Sequence, residues 1–351
     1  MSKTYRIAVF HGDGIGPEIM APTLQILRRL GHDFRFHDCP AGAAAYQAQG
    51  TDLPDASLRT ARSADAILLS ALGDPAVRNP DGTEMTPQID IRIALDLYAG
   101  VRPVRIVPGM RSPLATTEPV DFVLIRESTE GLFHTQGKGT VTADMAEETL
   151  RITRETTRKV CRFAFDLARD RKAQGHPGRV TSVDKANVFR AFAFWREVFD
   201  EVGRDYPDLS ADHAYVDAMA LYMVLRPQDW DVMVTENMFG DILSDLGAGL
   251  MGGLGMAPSA DIGDDHALFQ PCHGSAPDIA GQGIANPFAM ILSAAMMLDW
   301  LGRRHDDDGL TRDGARLRDA VEACLDAGET TPDLGGRLTT MTAAGAVLAR
   351  L

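Results

Sequence analysis

The 351-residue sequence has few cysteines, no long uncharged apolar run and no excess of basic residues. Its cysteines are widely scattered and form no CxxC pair, so neither a zinc site nor a redox dithiol is predicted. No uncharged stretch reaches the ~18 apolar residues that cross a bilayer, so we expect no membrane-spanning helix. Lysine and arginine total 35 against 49 aspartates and glutamates, and the formal net charge of −14 argues against binding to nucleic acid or anionic membranes.

The N-terminus also lacks the features of a signal peptide. It reads MSKTYRIAVF and runs directly into a predicted strand, without a longer apolar core or a small-residue cleavage site. We therefore expect a cytoplasmic protein with reduced thiols. The length is sufficient for two domains with hydrophobic cores, and the 45% hydrophobic and 24% charged fractions are ordinary for a globular protein.

Strand-like and helix-like segments alternate from the N-terminus onward. Arg6–Phe10 is predicted to be a strand, and Pro17–Leu30 a helix with proline in its first turn. Further strands are predicted at Phe34–His37 and Ala66–Ser70, with a helix near Ala56–Arg62 between them. This alternation predicts an α/β fold with a largely parallel central sheet flanked by helices. The turn HGDGIG lacks the GxGxxG spacing, so its pattern alone does not place a dinucleotide there.

The stretch Asp231–Asp245, DVMVTENMFGDILSD, is predicted to bring two carboxylates to one place. An apolar strand is followed by a turn at Asn237 and Gly240 and then by the start of a helix, on which Asp241 and Asp245 share one face. Like charges so placed repel unless a cation joins them or solvent screens them. A hard divalent ion, Mg2+ or Mn2+, suits carboxylate oxygens. A solvated acidic helix N-terminus is the alternative interpretation.

The segment NMFGDILSD within this stretch resembles the signature of the isocitrate/isopropylmalate dehydrogenase family. Other motifs of the family follow in the same order along nearly the whole chain: GDGIGPE, IRIALDLYAGVRP, IRESTEG and TPDLGG. The resemblance implies a two-domain isopropylmalate-dehydrogenase-like fold. In this arrangement residues 1–103 and 251–351 form a nucleotide-binding domain, and residues 104–250 form a domain for substrate, metal and dimerisation.

Three arginines stand in these motifs at the ends of predicted elements: Arg92, Arg102 and Arg126. A single arginine there is usually a surface residue, but three favour a carboxylate clamp because guanidinium groups bind carboxylates bidentately. The resemblance implies that they hold the substrate's carboxylates. In relatives, the residues shortly before the first arginine face the substituent on the third carbon. Here that window contains Thr86 and Gln88, which we interpret as a polar pocket that accommodates a purely isopropyl group poorly.

The resemblance also implies the catalytic groups. VDKAN matches the segment of the catalytic lysine, here Lys185, and Asp217 matches the third metal-binding aspartate, which joins the two aspartates of NMFGDILSD. Relatives place this lysine and this aspartate across the interface of a homodimer. The chain departs from the family at RESTEGLF, where Phe133 replaces a tyrosine that protonates the enolate. A phenyl ring has no proton to give, so His134 or water could substitute, or decarboxylation could be absent.

The segment His273–Pro287, HGSAPDIAGQGIANP, is predicted to be a long functional loop, because its glycines and prolines exclude regular structure. It resembles the family's adenine-nucleotide loop almost continuously. The predicted cofactor-binding residues are His273, Gly274, Ser275, Ala276, Asp278, Ile279 and Asn286. The Asp278 carboxylate can accept hydrogen bonds from ribose hydroxyls and would repel a 2′-phosphate, and NADP-using relatives resemble a Lys-Tyr pair at Asp278-Ile279, so NAD is expected.

These residues together predict an NAD-dependent and metal-dependent oxidation, with decarboxylation, of a 3-carboxy-2-hydroxy acid of the malate, tartrate, isocitrate and 3-isopropylmalate class. Two alternatives stay open: 3-isopropylmalate dehydrogenase proper, and a regulatory subunit that has lost catalysis. The second is supported by Phe133 and by FQPCHG, where relatives often have FEPVHG. A metal-dependent hydrolase would leave the nucleotide loop unexplained. The arm HTQGKGTVTAD pairs with the second subunit in relatives, which implies a homodimer.

Overall fold

The computed structural model describes residues 3–80, 82–115 and 118–351. Met1 and Ser2 of the N-terminal stretch lie outside the described residues. The strands, in chain order, are β1 (Tyr5–Phe10), β2 (Phe34–Asp38), β3 (Ala66–Leu69), β4 (Ala99–Ile106), β5 (Val120–Glu127), β6 (Thr140–Val141), β7 (Ala146–Glu147), β8 (Arg179–Asp184), β9 (Ser210–Tyr215), β10 (Val232–Thr235), β11 (Pro258–Ile262) and β12 (Ala267–Pro271).

Helices separate most of these strands. They are α1 (Gly16–Arg29), α2 (Ala43–Gln49), α3 (Asp55–Ser63), α4 (Pro87–Ala94), α5 (Arg154–Ala173), α6 (Arg190–Gly203), α7 (Val216–Leu225), α8 (Asn237–Leu250), α9 (Phe288–His305), α10 (Asp308–Asp326) and α11 (Thr340–Leu348). In the part of the chain that the structure describes, no helix combines the length and the apolar character needed to cross a bilayer.

In the described ranges, ten strands form one sheet in the order β2-β1-β3-β12-β11-β4-β5-β10-β8-β9. Parallel pairs occupy both sides of the sheet, whereas β12, β11, β4 and β5 pair antiparallel at its centre. Helices α5, α8 and α9 pack against these strands. The predicted α/β fold with a largely parallel sheet is confirmed.

The two halves of the sheet meet where β4 pairs with β5 along its whole length. The half containing β1 to β4 also receives β11 and β12, whereas β5, β8, β9 and β10 form the other half. One parallel strand in each half is apolar and completely buried: all residues of β3 and of β10 are buried, as expected for parallel strands covered on both faces. The expected domain boundaries at residues 103 and 250 fall inside β4 and at the end of α8.

Helix α8 begins earlier than the sequence pattern indicates. The turn predicted at Asn237 and Gly240 is wrong, because Asn237 is already the first helical residue. The side chain of Glu236 caps this end by accepting hydrogen bonds from the backbone amides of Met238 and Phe239 at 3.2 and 3.4 Å. Glutamate is not among the usual N-cap residues, so the helix start was not evident from the sequence.

Two further helix predictions need correction. The amphipathic pattern of Glu147–Arg171 predicts a long helix, but this helix begins only at Arg154, because Thr153 caps it by accepting from the amide of Thr156, and Glu147 lies in β7. A similar pattern over Arg312–Ala327 predicts a final helix; this helix is α10, but it is not the last one. Helix α11 follows and starts with a capping box between two threonines.

Candidate active site

A cleft of about 290 Å³ opens where β4, β5, β11 and β12 meet helices α4 and α8. It brings together many side chains that the sequence predicts for the site: Thr86, Gln88, Arg92, Arg102, Arg126, Phe133, Asp241, Asp245, His273 and Gly274. Arg102 and Arg126 are diagonal neighbours on the antiparallel pair β4–β5, since Arg102 pairs with Leu124, two residues from Arg126. The sheet register therefore places both guanidinium groups on the same face.

A buried carboxylate, Asp261 of β11, lies behind two of the cleft arginines. Arg92 donates from Nε to Asp261 Oδ2 at 3.0 Å, and Arg102 donates to Asp261 Oδ1 at 3.1 Å. Ser128 and Gln270 also donate to this carboxylate, at 3.2 and 3.0 Å. Burial alone would raise the pKa of Asp261, but the charges of Arg102 and Arg92 outweigh it and lower the pKa. One ionised carboxylate is therefore shared by two guanidinium groups.

Arg126, near the end of β5, is held by other partners. Its Nε donates to Asn237 Oδ1 at 2.9 Å, and its terminal nitrogen forms an ion pair with Asp241. Burial lowers the pKa of Arg126 to about 10, and the two other cleft arginines act in the same direction. The side chain is thus still charged at neutral pH. Gly240 permits the close approach of α8, because a Cβ there would lie 2.6 Å from the Arg126 Cβ and Cγ.

The two carboxylates of α8 share one side of the cleft. Asp241 and Asp245 both line it, as the i, i+4 spacing predicts. Burial raises the pKa of Asp245, and the neighbouring negative charge of Asp241 adds to the effect. A divalent cation bound by carboxylate oxygens would relieve this repulsion, so the donor set fits Mg2+ or Mn2+. Within residues 3–80, 82–115 and 118–351 no group of three or more His, Cys, Asp or Glu side chains is placed to hold a metal ion.

Lys185 and Asp217 lie away from the cleft of their own chain. Lys185 follows β8 and Asp217 lies in the first turn of α7, and neither is among the residues that line the cleft in the described part of the chain. Lys185 Nζ donates to Asp217 Oδ1 at 2.5 Å, and this hydrogen bond lowers the pKa of Asp217. The Asp217 side chain is exposed. The two residues form an ion pair at the surface of the single chain.

Phe133 lies in the cleft wall beside Arg126. The guanidinium carbon of Arg126 is 5.0 Å from the centroid of the phenyl ring, which is a cation–π contact. His134 is not among the lining residues of the described chain, and its Nδ1 accepts from Arg151 at 3.3 Å. Burial and the charge of Arg151 lower the pKa of His134. Of the two candidates at this position, only the phenyl ring contacts the cleft.

The polar window before Arg92 also lines the cleft. Thr86 precedes helix α4, Gln88 lies in its first turn, and Ile89 supplies an apolar surface beside them. Gln88 Oε1 is buried and has no hydrogen-bond partner within the described residues. A buried amide oxygen without a partner costs ~1–3 kcal/mol. The pocket is therefore suited to a ligand group that donates a hydrogen bond.

The loop predicted to bind the nucleotide packs against the N-terminal GDGIG turn. Residues 273–287 contain neither helix nor strand, as predicted. The amide of Ile15 donates to the carbonyl of Ser275 at 2.8 Å, and a Cβ at Gly14, where φ is positive, would collide with the same carbonyl. Glu18 accepts hydrogen bonds from two amides of the loop at 3.2 and 3.3 Å. The turn thus supports the loop rather than forming a GxGxxG phosphate site.

Several predicted cofactor residues have atoms available to a ligand. His273 lines the cleft, its Nδ1 is 3.0 Å from the Gly274 carbonyl oxygen, and its buried Nε2 has no partner in the described chain. Asp278 is exposed. The Asn286 side chain is already engaged, because it donates to Asp333 and accepts from the amide of Phe288, both at 3.0 Å. The other predicted residues share the loop: Gly274, Ser275, Ala276 and Ile279.

Comparison with known proteins gives a consistent result. A family model described as isocitrate/isopropylmalate dehydrogenase matches residues 6–347. A 3-isopropylmalate/3-methylmalate dehydrogenase of Methanocaldococcus jannaschii is 43% identical and covers 99% of each chain. A 3-isopropylmalate dehydrogenase of Aquifex aeolicus is 40% identical and covers 95% of this chain and 92% of its own. The crystal structure of isocitrate dehydrogenase from Methylococcus capsulatus superposes with a TM-score of 0.89 at 37% identity, covering 99% of each chain.

Proposed function

This chain belongs to the isocitrate/isopropylmalate dehydrogenase family, and from that premise we propose that it oxidises a 3-carboxy-2-hydroxy acid with NAD and a divalent metal ion, and decarboxylates the product. It is an oxidoreductase that acts on a CH–OH group of a small hydroxy acid. The observation that carries the proposal is the cleft, in which three arginines from separate segments meet the two carboxylates of α8.

The arginines and the surrounding side chains supply the chemistry. The three guanidinium groups bind and orient the substrate's carboxylates, because planar N–H forks match carboxylate geometry. Asp241 and Asp245, with Asp217 of a second copy, would hold Mg2+ or Mn2+, which when bound polarises the 2-hydroxyl oxygen. Lys185 of the same second copy would assist removal of the hydroxyl proton, directly or through water. The loop at residues 273–287 would hold NAD, whose nicotinamide would supply the acceptor for the hydride of the second carbon.

A homodimer with shared sites is part of the proposal. Lys185 and Asp217 pair with each other away from their own chain's cleft, so a second copy is needed to bring them to the arginines. Helix α7, which carries Asp217, exposes large apolar side chains, with Leu225 69% and Leu221 54% exposed, and Ile242 of α8 is 62% exposed. Large apolar side chains exposed on two helices that contact each other are typical of an association face. The β6–β7 hairpin is also exposed along both strands.

The loop and the sheet support the cofactor and domain assignments that we propose. An exposed Asp278 carboxylate in the same loop as His273 favours the ribose hydroxyls of NAD over the 2′-phosphate of NADP. We place the nucleotide on residues 1–103 and 251–351, the half of the sheet that carries this loop, and the substrate and dimer surfaces on residues 104–250. The proposal includes a cytoplasmic location, because all four cysteine thiols are free, as is usual where the environment is reducing.

The substituent on the third carbon is proposed to be small or polar, as in malate, tartrate or isocitrate. The support is Gln88, whose buried Oε1 accepts no hydrogen bond within the described residues, together with Thr86 in the same wall of the cleft. A second candidate, 3-isopropylmalate or 3-methylmalate, is favoured by the names of the relatives that are 40% and 43% identical and by the apolar Ile89 in the same wall.

A substrate panel with NADH absorbance as the readout tests the proposal. Malate, tartrate, isocitrate, 3-methylmalate and 3-isopropylmalate are each supplied with NAD and either Mg2+ or Mn2+, with chelator as the control. We expect activity that needs the metal and a higher kcat/KM for a polar or unsubstituted acid. Gln88→Leu should shift the preference toward 3-isopropylmalate by roughly tenfold to a hundredfold. A wild-type preference for 3-isopropylmalate would overturn the polar assignment, and no NADH with any acid would overturn the function.

A further inference from the structure

We propose that Asp261 is a specificity-determining residue that tunes the arginine clamp toward substrates with two carboxylates, such as malate and tartrate, and against isocitrate, which carries a third, an inference that rests on the proposed function and narrows its substrate class. The reason is its position. Asp261 does not line the cleft in the described chain but lies directly behind it, fully buried, with each carboxylate oxygen bonded to a different clamp arginine. It therefore changes the charge that the clamp offers without contacting the substrate.

The contacts fix this arrangement in place. Arg102, besides donating to Asp261, donates to the carbonyls of Val101 and Ala260 at 3.2 and 2.9 Å, so its guanidinium group cannot turn away from the carboxylate. Gln270 donates its amide to the second Asp261 oxygen at 3.0 Å and itself lines the cleft. One hydrogen bond thus separates the Asp261 carboxylate from the cleft surface. The Gln270 side chain that makes this bond is neutral, and the substitution Gln270→Glu would place the negative charge there instead.

The charges of the site then match a dianion. The charged side chains that line the cleft are three arginines and two aspartates, Asp241 and Asp245, and the buried carboxylate of Asp261 behind them balances the third arginine. The Lys185–Asp217 pair adds no net charge. A divalent cation brings two positive charges, which two substrate carboxylates neutralise. Among these side chains and the metal ion, a third carboxylate would meet no remaining positive charge, whereas a neutral residue at position 261 would leave one.

The size of the effect follows from Coulomb's law. One unit charge at roughly 7 Å in an effective dielectric of about 20 changes a binding constant by roughly 50-fold. The charge acts on every anionic ligand, but it acts more strongly on a trianion than on a dianion. We therefore expect the ratio of the two affinities to change by about tenfold or more when Asp261 loses its charge.

The alternative is that Asp261 only neutralises buried arginines for the sake of the fold. A second buried pair provides the matched control: Asp231 accepts from Arg171 Nε at 2.7 Å and from two backbone amides, and neither residue lines the cleft in the described chain. Asp231→Asn removes a buried carboxylate from an arginine, as Asp261→Asn does. A purely structural role would make the two variants equivalent in ligand preference.

The experiment measures unreactive ligands by calorimetry in the NAD- and Mg2+-loaded protein. Succinate carries two carboxylates and tricarballylate carries three. Asp261→Asn should shift the affinity ratio toward tricarballylate by about tenfold or more, and Gln270→Glu should shift it toward succinate. The double variant Asp261→Asn/Gln270→Glu transfers the negative charge from position 261 to its hydrogen-bonded partner at position 270. It should return the ratio of the two affinities to near the wild-type value. Asp231→Asn should lower thermal stability but leave the ratio unchanged.

Several outcomes would overturn the inference: an Asp261→Asn ratio within about twofold of wild type, an equal shift in Asp231→Asn, or no recovery in the double variant. Should Asp261→Asn fail to fold, Gln270→Glu and the double variant decide: the ratio should shift toward succinate in Gln270→Glu and return to near the wild-type value in the double variant, and an unchanged ratio in Gln270→Glu refutes the inference. The proposed function is tested separately by turnover. Absence of NADH with every hydroxy acid refutes that function, while a shifted ligand ratio still supports the role of Asp261.

Discussion

Replacement of Gly240 by alanine should disturb the clamp from the opposite side of the cleft. The added Cβ would lie 2.6 Å from both Cβ and Cγ of Arg126 and 3.1 Å from its Cα. These separations are about 1 Å short of ordinary carbon–carbon contact. The far end of Arg126 is fixed by Asn237 and Asp241, so the side chain cannot swing aside without losing those bonds. Either α8 or the guanidinium group must move.

The expected magnitudes follow from two opposing effects. Alanine is favoured over glycine inside a helix by ~1 kcal/mol. Overpacking in a dense interior typically costs ~1–3 kcal/mol, so Gly240→Ala should change the free energy of unfolding by a net loss of about 1 kcal/mol. The effect on catalysis should be larger, because a displacement of ~1 Å in a substrate-binding group can reduce the rate by ~10²-fold. The main loss is therefore in kcat/KM rather than in stability.

Urea unfolding and steady-state kinetics with the best hydroxy acid measure both quantities. Gly249→Ala is the matched control, since it lies in the same helix and its Cβ would meet nothing within 4 Å. This control should gain up to ~1 kcal/mol of stability and keep its activity. If Gly240→Ala were as stable as Gly249→Ala and kept the wild-type kcat/KM, the contact with Arg126 would have no functional importance.

Three further variants test the other proposals. Phe133→Tyr should restore a proton donor. Where enolate protonation limits turnover, it should raise the steady-state rate that follows an NADH burst by up to ~10²–10⁴-fold. One CO2 per NADH without a burst, together with no response to the substitution, would contradict this. Asp278→Lys should raise the NADP to NAD ratio of kcat/KM by about tenfold or more, and an unchanged ratio would remove Asp278 from cofactor selection. Leu225→Asp should convert a dimer to a monomer in sedimentation velocity and abolish activity, whereas Met341→Asp, on exposed α11, should not; a monomeric, active wild type would refute the shared site.

The sequence predicts features that depend on neighbouring residues. Apolar runs such as Val232–Val234 are buried strands, and the glycines and prolines of residues 273–287 do prevent regular structure. The convergence of Arg92, Arg102 and Arg126 was also predictable, although only because their motifs resemble those of a known family. A pattern of spacing alone would have left each arginine as a surface residue.

Features that depend on distant parts of the chain escaped prediction. Asp261 lies in a glycine-rich segment that resembles a connection, and its partners Arg92 and Arg102 are 169 and 159 residues away in the sequence. No periodic pattern of neighbouring residues can indicate a contact between residues so far apart in the sequence. The start of α8 was missed for a related reason, because the cap is a glutamate side chain rather than a serine, threonine, aspartate or asparagine. The position of Lys185 and Asp217 relative to a cleft depends on a second copy of the chain.

The pairing of β4 with β5 has a mechanical consequence. Arg92 and Arg102 lie on α4 and β4, on one side of the line between the paired strands, whereas Arg126, Asp241 and Asp245 lie on β5 and α8, on the other. Because the backbone is continuous hydrogen-bonded sheet between them, widening the cleft requires the sheet to twist about β4–β5. An anion that binds both Arg102 and Arg126 links the two strands and resists this twist. It should therefore slow amide hydrogen exchange in both strands, including at residues that it does not contact.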